Sequence, residues 1–260
     1  MSVASDRDLV LRSVPDTPFH VVARHFVAKG TGTLRVVRDP SGEMAAAVVI
    51  ATWAPTEPMG FGPDPGALVR LLLSTPGWDC VNVAAPLAAR VAEGIGSALG
   101  YPTRYLDDVH YVLDGPPERL PNSSVRLLGL DDHELLADAP LELRGEGADW
   151  PQTLLGEGII AGAVVDGRLV ARVNMEAHSE RFAEIGAATA EPWRNRGFAA
   201  AGAALVAAES QRGGFTPVWS TGGHNLASQR VATKVGFREY GRWTYVIVPA
   251  LQEQGGFRPS

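Results

Sequence analysis

The stretch FAEIGAATAEPWRNRGFAAAGAALVAAES, from Phe182 to Ser210, restricts the fold more than any other part of the chain. An apolar run of strand length leads through two arginines and a glycine into a helix of alanine and glycine. Side chains this small let a helix lie close on its support, which points to a helix packed on a sheet. The step Arg194-x-x-Gly197-x-Ala199 falls where the strand gives way to the helix. The first turn of a helix carries free N–H groups and a partial positive charge, so it attracts anions. Gly197 lets an anion approach the backbone with no Cβ in the way, and the arginines can meet its charge. A solvated arginine pair beside a tightly packed helix fits the same residue types equally well.

The surrounding pattern is α/β. Upstream, EMAAAVVIATWA and WDCVNVA read as strands. DPGALVRLLLST, with Pro65 in its first turn, and PLAARVAEGIGSALG, closed by Gly100, read as helices. LDGPPERLPNSS is the clearest seam and places a boundary near Pro121, giving domains 1–121 and 122–260. Downstream, Asp166-Gly167 between two apolar runs predicts a hairpin. FAEIGAATA follows as a strand, then the alanine helix, the strand TPVWST, the helix LASQRVATKV stopped by Gly236, and a last strand RWTYVIV. Gly156-x-Gly158-x-x-Ala161 copies a dinucleotide fingerprint, but it precedes a strand where the fingerprint must follow one.

The order hairpin, strand, R-x-x-G-x-A, helix, strand, Asn-initiated helix and final strand resembles the GNAT superfamily of acyl-CoA-dependent N-acyltransferases. EIGAATAEPWRNRGFAAAGAALV and PVWSTGGHNLASQRVATKVGF carry the likeness, which spans roughly Ser123 to Val248. It implies a mixed α+β sheet of GNAT type in the C-terminal half. The N-terminal half, which lacks R-x-x-G-x-A, is expected to be a smaller α/β unit that does not bind CoA and either covers the acceptor cleft or packs as a degenerate GNAT half. The resemblance also implies that amides from Arg196 through Gly197, Phe198 and Ala199 to Ala200 cradle the CoA pyrophosphate, with Arg194 and Asn195 beside them. Main chain at Ala187, Ala188 and Thr189 would pair with the pantetheine arm. Asn225 and Ser228 match the family's positions at the start of the next helix, near the thiol. Asn225 equally suits a plain helix N-cap.

Acyl transfer to an amine needs a base for the ammonium proton and an acid for the departing thiolate. Glu184, between apolar neighbours in its strand, is the leading base, because burial raises a carboxylate's pKa. A rim glutamate in a salt bridge is the bland alternative. Many GNAT enzymes carry a tyrosine seven residues after the helix-starting Asn; here that position is Ala232. Ser228 or an ordered water is expected to substitute, or the thiolate to leave unprotonated, and His224 is a further candidate base or acid that ranks below Glu184. Glu142, Arg144 and Trp150 in LELRGEGADW are candidates for the acceptor wall, with Trp219 as a further candidate that packing in the core would also explain. Glu176 and His178 are expected to close the hairpin's far end in solvent.

The expected reaction is transfer of an acetyl group from acetyl-CoA to a primary amine of a small molecule, by direct attack in a ternary complex. The competing readings are a non-catalytic acyl-CoA sensor, and an acyltransferase using a longer chain or a protein N-terminus. The net charge of −6 argues against a nucleic-acid partner. Cys80 is the only cysteine, which excludes an internal disulfide and suits a reducing cytoplasm. The histidines show no ligand spacing, so no metal is expected. No stretch is long enough to suggest a membrane span or a signal peptide. The expected product is a cytoplasmic monomer or homodimer.

Overall fold

The computed structural model describes residues 5–144, 154–156 and 158–259. They fall into two compact units. The first takes the described residues of Met1–Val109, Gly222–His224 and Gly241–Ser260; the second takes those of His110–Thr221 and Asn225–Tyr240. Residues 110–121, expected with the first half, therefore lie in the second unit, and the chain's last strand returns to the first. A single cut near Pro121 cannot describe this, because strand pairing, unlike linker composition, ignores sequence distance.

In the first unit, helices α1 (Asp6–Ser13) and α2 (Val21–Lys29) precede an antiparallel pair, β1 (Thr33–Arg38) and β2 (Met44–Ile50). Strand β3 (Met59–Phe61) continues antiparallel. Helix α3 (Pro65–Leu72) then leads to β4 (Cys80–Ala84), which is parallel to β3, and α4 (Ala85–Leu99) ends at Gly100 in the left-handed conformation. Alternation along β2 explains its unbroken apolar sequence. Ala46 and Val48 join one core, with Leu68, Leu72, Trp78 and Ile95. Ala47 and Val49 join the other, with Leu9, Phe26 and Trp243. A strand covered on both faces has no position left for a polar side chain. The chain's last strand, β11 (Arg238–Ile247), pairs antiparallel with β4 from Trp243 to Ile247, and α9 (Pro249–Gln254) follows it.

The second unit repeats that order. The short strand β6 (Val125–Leu127) is followed by α5 (His133–Ala137) and α6 (Leu141–Arg144). Three antiparallel strands come next: β7 (Ile160–Val165), β8 (Arg168–His178) and β9 (Phe182–Thr189). The β7–β8 turn is the expected one, with Asp166 and Gly167 both at positive φ. Helix α7 (Phe198–Arg212) connects β9 to β10 (Thr216–Gly222), which runs parallel to it, and α8 (Leu226–Val235) ends at left-handed Gly236. Strand β5 (Arg104–Val112) ends in this unit, where the Leu113 amide donates to the Pro217 carbonyl at 3.0 Å. Each unit thus presents two helices, three antiparallel strands, a helix, a parallel strand and a helix. This is the α/β architecture with a mixed sheet that the sequence pattern implies.

Helix α7 reads Ala-Gly because of what lies beneath it. A Cβ on Gly202 would sit 2.7 Å from Val173 Cγ2 and 3.8 Å from Ala161 Cβ. The opposite face of the β7–β9 sheet carries a separate core, in which Leu136 of α5 and Leu143 of α6 pack with Ile160, Leu169 and Ala188. Among the described residues, no helix is long and apolar enough to cross a membrane, and no cluster of three His, Cys, Asp or Glu side chains could hold a metal ion.

Candidate active site

Strands β9 and β10 pair over three positions only, Phe182 with Thr216, Ala183 with Pro217 and Glu184 with Val218. Strand β9 then runs on to Thr189, and β10 continues separately. Past Glu184 the two strands diverge, so the main chain of Ala187 and Ala188 has lost its neighbour on that side. The Thr189 carbonyl accepts from Arg194 Nε at 3.2 Å. Glu184 stands where the strands part. It is 4% exposed, and its Oε1 accepts from the Ser220 amide at 2.8 Å and from Ser220 Oγ at 2.7 Å. A side chain on one strand thereby takes over the hydrogen bonding that the separating backbone gives up.

A single turn of 3₁₀ helix, Glu191–Trp193, carries β9 into α7. Asn195 and Gly197 both have positive φ, 62° and 80°, and Gly197 is the N-cap of α7 with no side-chain cap. The first helical bond is from the Ala201 amide to the Gly197 carbonyl at 3.0 Å. Among the described residues, the amides from Arg196 to Ala200 make no hydrogen bond, as expected of an uncapped first turn. A Cβ on Gly197 would meet nothing within 4 Å, so the space before the helix is open. Phe198 and Ala200 are buried and offer only their backbone. Arg196 lies over the Trp193 ring, 4.5 Å from its centroid, and is bonded to the Pro192 carbonyl. The second arginine is thus held on the connection, while the groups facing forward are the amides.

Asn225 caps α8 by accepting from the Ser228 amide at 3.1 Å. Ser228 Oγ accepts from Trp219 Nε1 at 2.9 Å, which leaves its hydroxyl hydrogen available to donate. Trp219 is 3% exposed and packs against Phe237, so its indole serves the core and orients Ser228. Ala232 is fully buried on α8. His224 is exposed and belongs to the first unit. Glu142 and Arg144 are exposed on α6, because Leu143 takes the inward position between them. Trp150 lies outside the described residues.

The sequence reading missed a polar row on β8. Arg172 is opposite Ala188, Asn174 is opposite Gly186, and Glu176 is the extra residue of a β-bulge between Met175 and Ala177. All three lie on the face that α5 and α6 cover, since Ala188 and Ile160, the neighbours of Arg172 and Asn174, belong to that core. Glu176 is therefore not the solvated hairpin end that its sequence position suggests. Its carboxyl group rests on Gly186, where a Cβ would come within 2.0 Å of Oε1. Burial pushes this carboxyl above the ordinary carboxylate range, with only partial relief from Arg172. Burial also lowers the Arg172 guanidinium. The one available signal was polar alternation at 172, 174 and 176, which in an isolated sequence reads as a solvent face.

The GNAT acetyltransferase family model matches residues 152–246. That span holds the diverging strands, the uncapped helix and the capped α8. Residues 152–246 form a GNAT acetyltransferase domain. Solved structures with this fold cover nearly the whole chain. A GCN5-related N-acetyltransferase-like protein from Streptococcus suis is 20% identical, aligns over 95% of this chain and 100% of its own, and has a TM-score of 0.69. A GNAT-family acetyltransferase from Colwellia psychrerythraea is 13% identical over 93% of this chain and 94% of its own, with a TM-score of 0.60. A tandem GNAT protein from the clavulanic acid biosynthesis pathway is 15% identical over 95% of this chain and 88% of its own, with a TM-score of 0.50. No curated protein matches this chain in sequence. The family match is confined to residues 152–246, while the likeness in fold runs over both units, and the repeated element order in the first unit accords with a tandem arrangement.

Proposed function

We propose that the second unit binds acetyl-CoA and transfers its acetyl group to a primary amine of a small molecule. The observation that carries this reading is the coincidence of two openings: strands that part after Glu184, and an uncapped helix whose amides stand free beside Gly197. The residues fit the co-substrate. Amides from Arg196 to Ala200 suit a diphosphate, Arg194 and Asn195 flank them, and the β9 edge at Ala187, Ala188 and Thr189 suits the amide-bearing pantetheine arm. Asn225 and Ser228 would stand near the thiol end.

In the chemistry this reading requires, the amine nitrogen attacks the thioester carbonyl carbon, the C–S bond breaks and coenzyme A leaves as thiolate. Glu184, fixed by both donors of Ser220, accepts the proton that the ammonium must shed before attack. Ser228, whose hydroxyl hydrogen is uncommitted, can donate to the thiolate and recover the proton that the acylated nitrogen sheds as the amide forms, in place of the tyrosine that Ala232 replaces. Exposed His224 is the weaker candidate for either role.

The first unit offers a physical reason not to bind CoA. Its equivalent helix, α3, starts at Asp64, whose carboxylate already accepts from the Ala67 amide at 3.0 Å. An acid in the anion position satisfies the helix and repels a phosphate. A cytoplasmic location fits the use of CoA. Calorimetry with CoA and acetyl-CoA tests the reading directly. Binding at one site per chain is expected, and absence of heat with either ligand would end it. The non-catalytic alternative, which Ala232 favours, would show binding without acetyl transfer to any amine in a broad panel.

A further inference from the structure

We propose that Arg172, Asn174 and Glu176 form the acceptor site, and that they select a compact primary amine that also carries a carboxylate. This rests on the acyl-transfer reading above and narrows it. Asn174 is 1% exposed, yet neither its Nδ2 nor its Oδ1 has a hydrogen-bond partner. Arg172 Nε and Nη1 are likewise buried without a hydrogen-bond partner, although the Glu176 carboxyl acts on the guanidinium through space. Buried polar groups are nearly always satisfied, and each one left alone costs free energy that folding must offset elsewhere. An amide and a guanidinium left this way two residues apart on one strand face are groups awaiting a ligand.

The chemistry of the three side chains defines that ligand. A buried guanidinium demands an anion, and its planar fork of donors matches a carboxylate. Asn174 can donate and accept beside it. At the other end of the row Glu176 turns its carboxyl over Gly186, on the face that β9 shares with Glu184, the proposed base. An amine placed there would have one carboxyl group to hold it and a second to take its proton. A polycation such as a polyamine would leave Arg172 Nε and Nη1 without an acceptor, and a simple alkylamine would leave those donors and Asn174 both unanswered. Amino acids and short ω-amino acids answer all three. Gly186 is part of the site through its missing side chain.

The test uses the full-length protein, acetyl-CoA and matched acceptors: α-amino acids and short ω-amino acids against alkylamines of the same chain length. A carboxylate preference of about 100-fold in kcat/KM is expected, since leaving a buried charge unpaired is among the larger single penalties in recognition. Arg172→Met should abolish that preference without altering CoA binding. Gly186→Ala, which displaces the Glu176 carboxyl without changing charge, should raise KM for the acceptor and leave the CoA affinity alone. Equal use of alkylamines by the unaltered protein would overturn the inference, and so would a preference that survives Arg172→Met. The unaltered protein decides the matter even if that variant fails to fold. CoA binding with no acceptor acetylated, and no amino acid raising the melting temperature, would overturn it too. Failure to bind CoA at all would instead remove the acyl-transfer reading beneath it.

Discussion

Replacing Gly197 with alanine separates a backbone effect from a ligand effect. Gly197 holds φ at 80°, where a side chain costs about 1–2 kcal/mol, and the stiffer unfolded chain returns about 0.4–1 kcal/mol of that. Nothing lies within 4 Å of the added Cβ, so no packing term enters. The net loss of stability should be ~1 kcal/mol, a shift of a few degrees in melting temperature. Coenzyme A should suffer more. A methyl group at the mouth of the helix would break one amide–diphosphate bond and lengthen its neighbour, and charge-assisted bonds of this kind are worth about 1.5–3 kcal/mol each. A loss of about 2–4 kcal/mol corresponds to a Kd about 30- to 1,000-fold weaker. Gly167→Ala is the control. Its φ is 73°, its Cβ would also meet nothing within 4 Å, and it lies in the β7–β8 turn. It should cost the same stability and leave Kd unchanged. Calorimetry and thermal denaturation of the three proteins measure both quantities. If both variants lose stability equally and bind CoA equally well, the diphosphate does not dock at this helix.

Three further outcomes follow from the site and its surroundings. Glu184→Gln should lower turnover by about 10²- to 10⁴-fold while CoA binding stays intact; an unchanged rate-versus-pH profile would remove Glu184 as the base. The buried Glu176 carboxyl favours its neutral form in the fold, so its contribution to stability is greatest below the ordinary value of 4.5 and is lost as pH rises through the raised one. Glu176→Gln should therefore flatten the dependence of melting temperature on pH above 4.5, and a slope identical to that of the unaltered protein would contradict this. Burial, reinforced by Glu57 and Asp79, pushes the Cys80 thiol far up. It should react with a disulfide reagent only in denaturant, and rapid labelling of the native protein would show that β4 opens readily.

Local chemistry made much of this fold legible. Gly100 and Gly236 stop helices as read, Asp166-Gly167 makes the turn it advertises, and Gly197 opens α7 in a conformation that glycine adopts without strain. The helices α1 and α2 and the strand β1 are not legible in the sequence. Their sequences carry no signal as strong as Asp-Gly or a run of alanines, and their place is fixed by the cores they join. In the site, the step proposed to bind the diphosphate was visible because its residues are consecutive. The polar row on β8 was not. Arg172, Asn174 and Glu176 alternate as any half-exposed strand would, and only the cover provided by α5 and α6 turns that face inward.

The sequence by itself determined where helices and turns begin and end, and where an anion could meet bare backbone amides. Those properties depend on one residue and its nearest neighbours. Tertiary structure decided the rest: that β11 returns to pair with β4, that β9 and β10 part after Glu184, and that one polar face of β8 lies beneath helices. Each of these joins residues far apart in the chain, where burial and strand pairing outweigh any local preference.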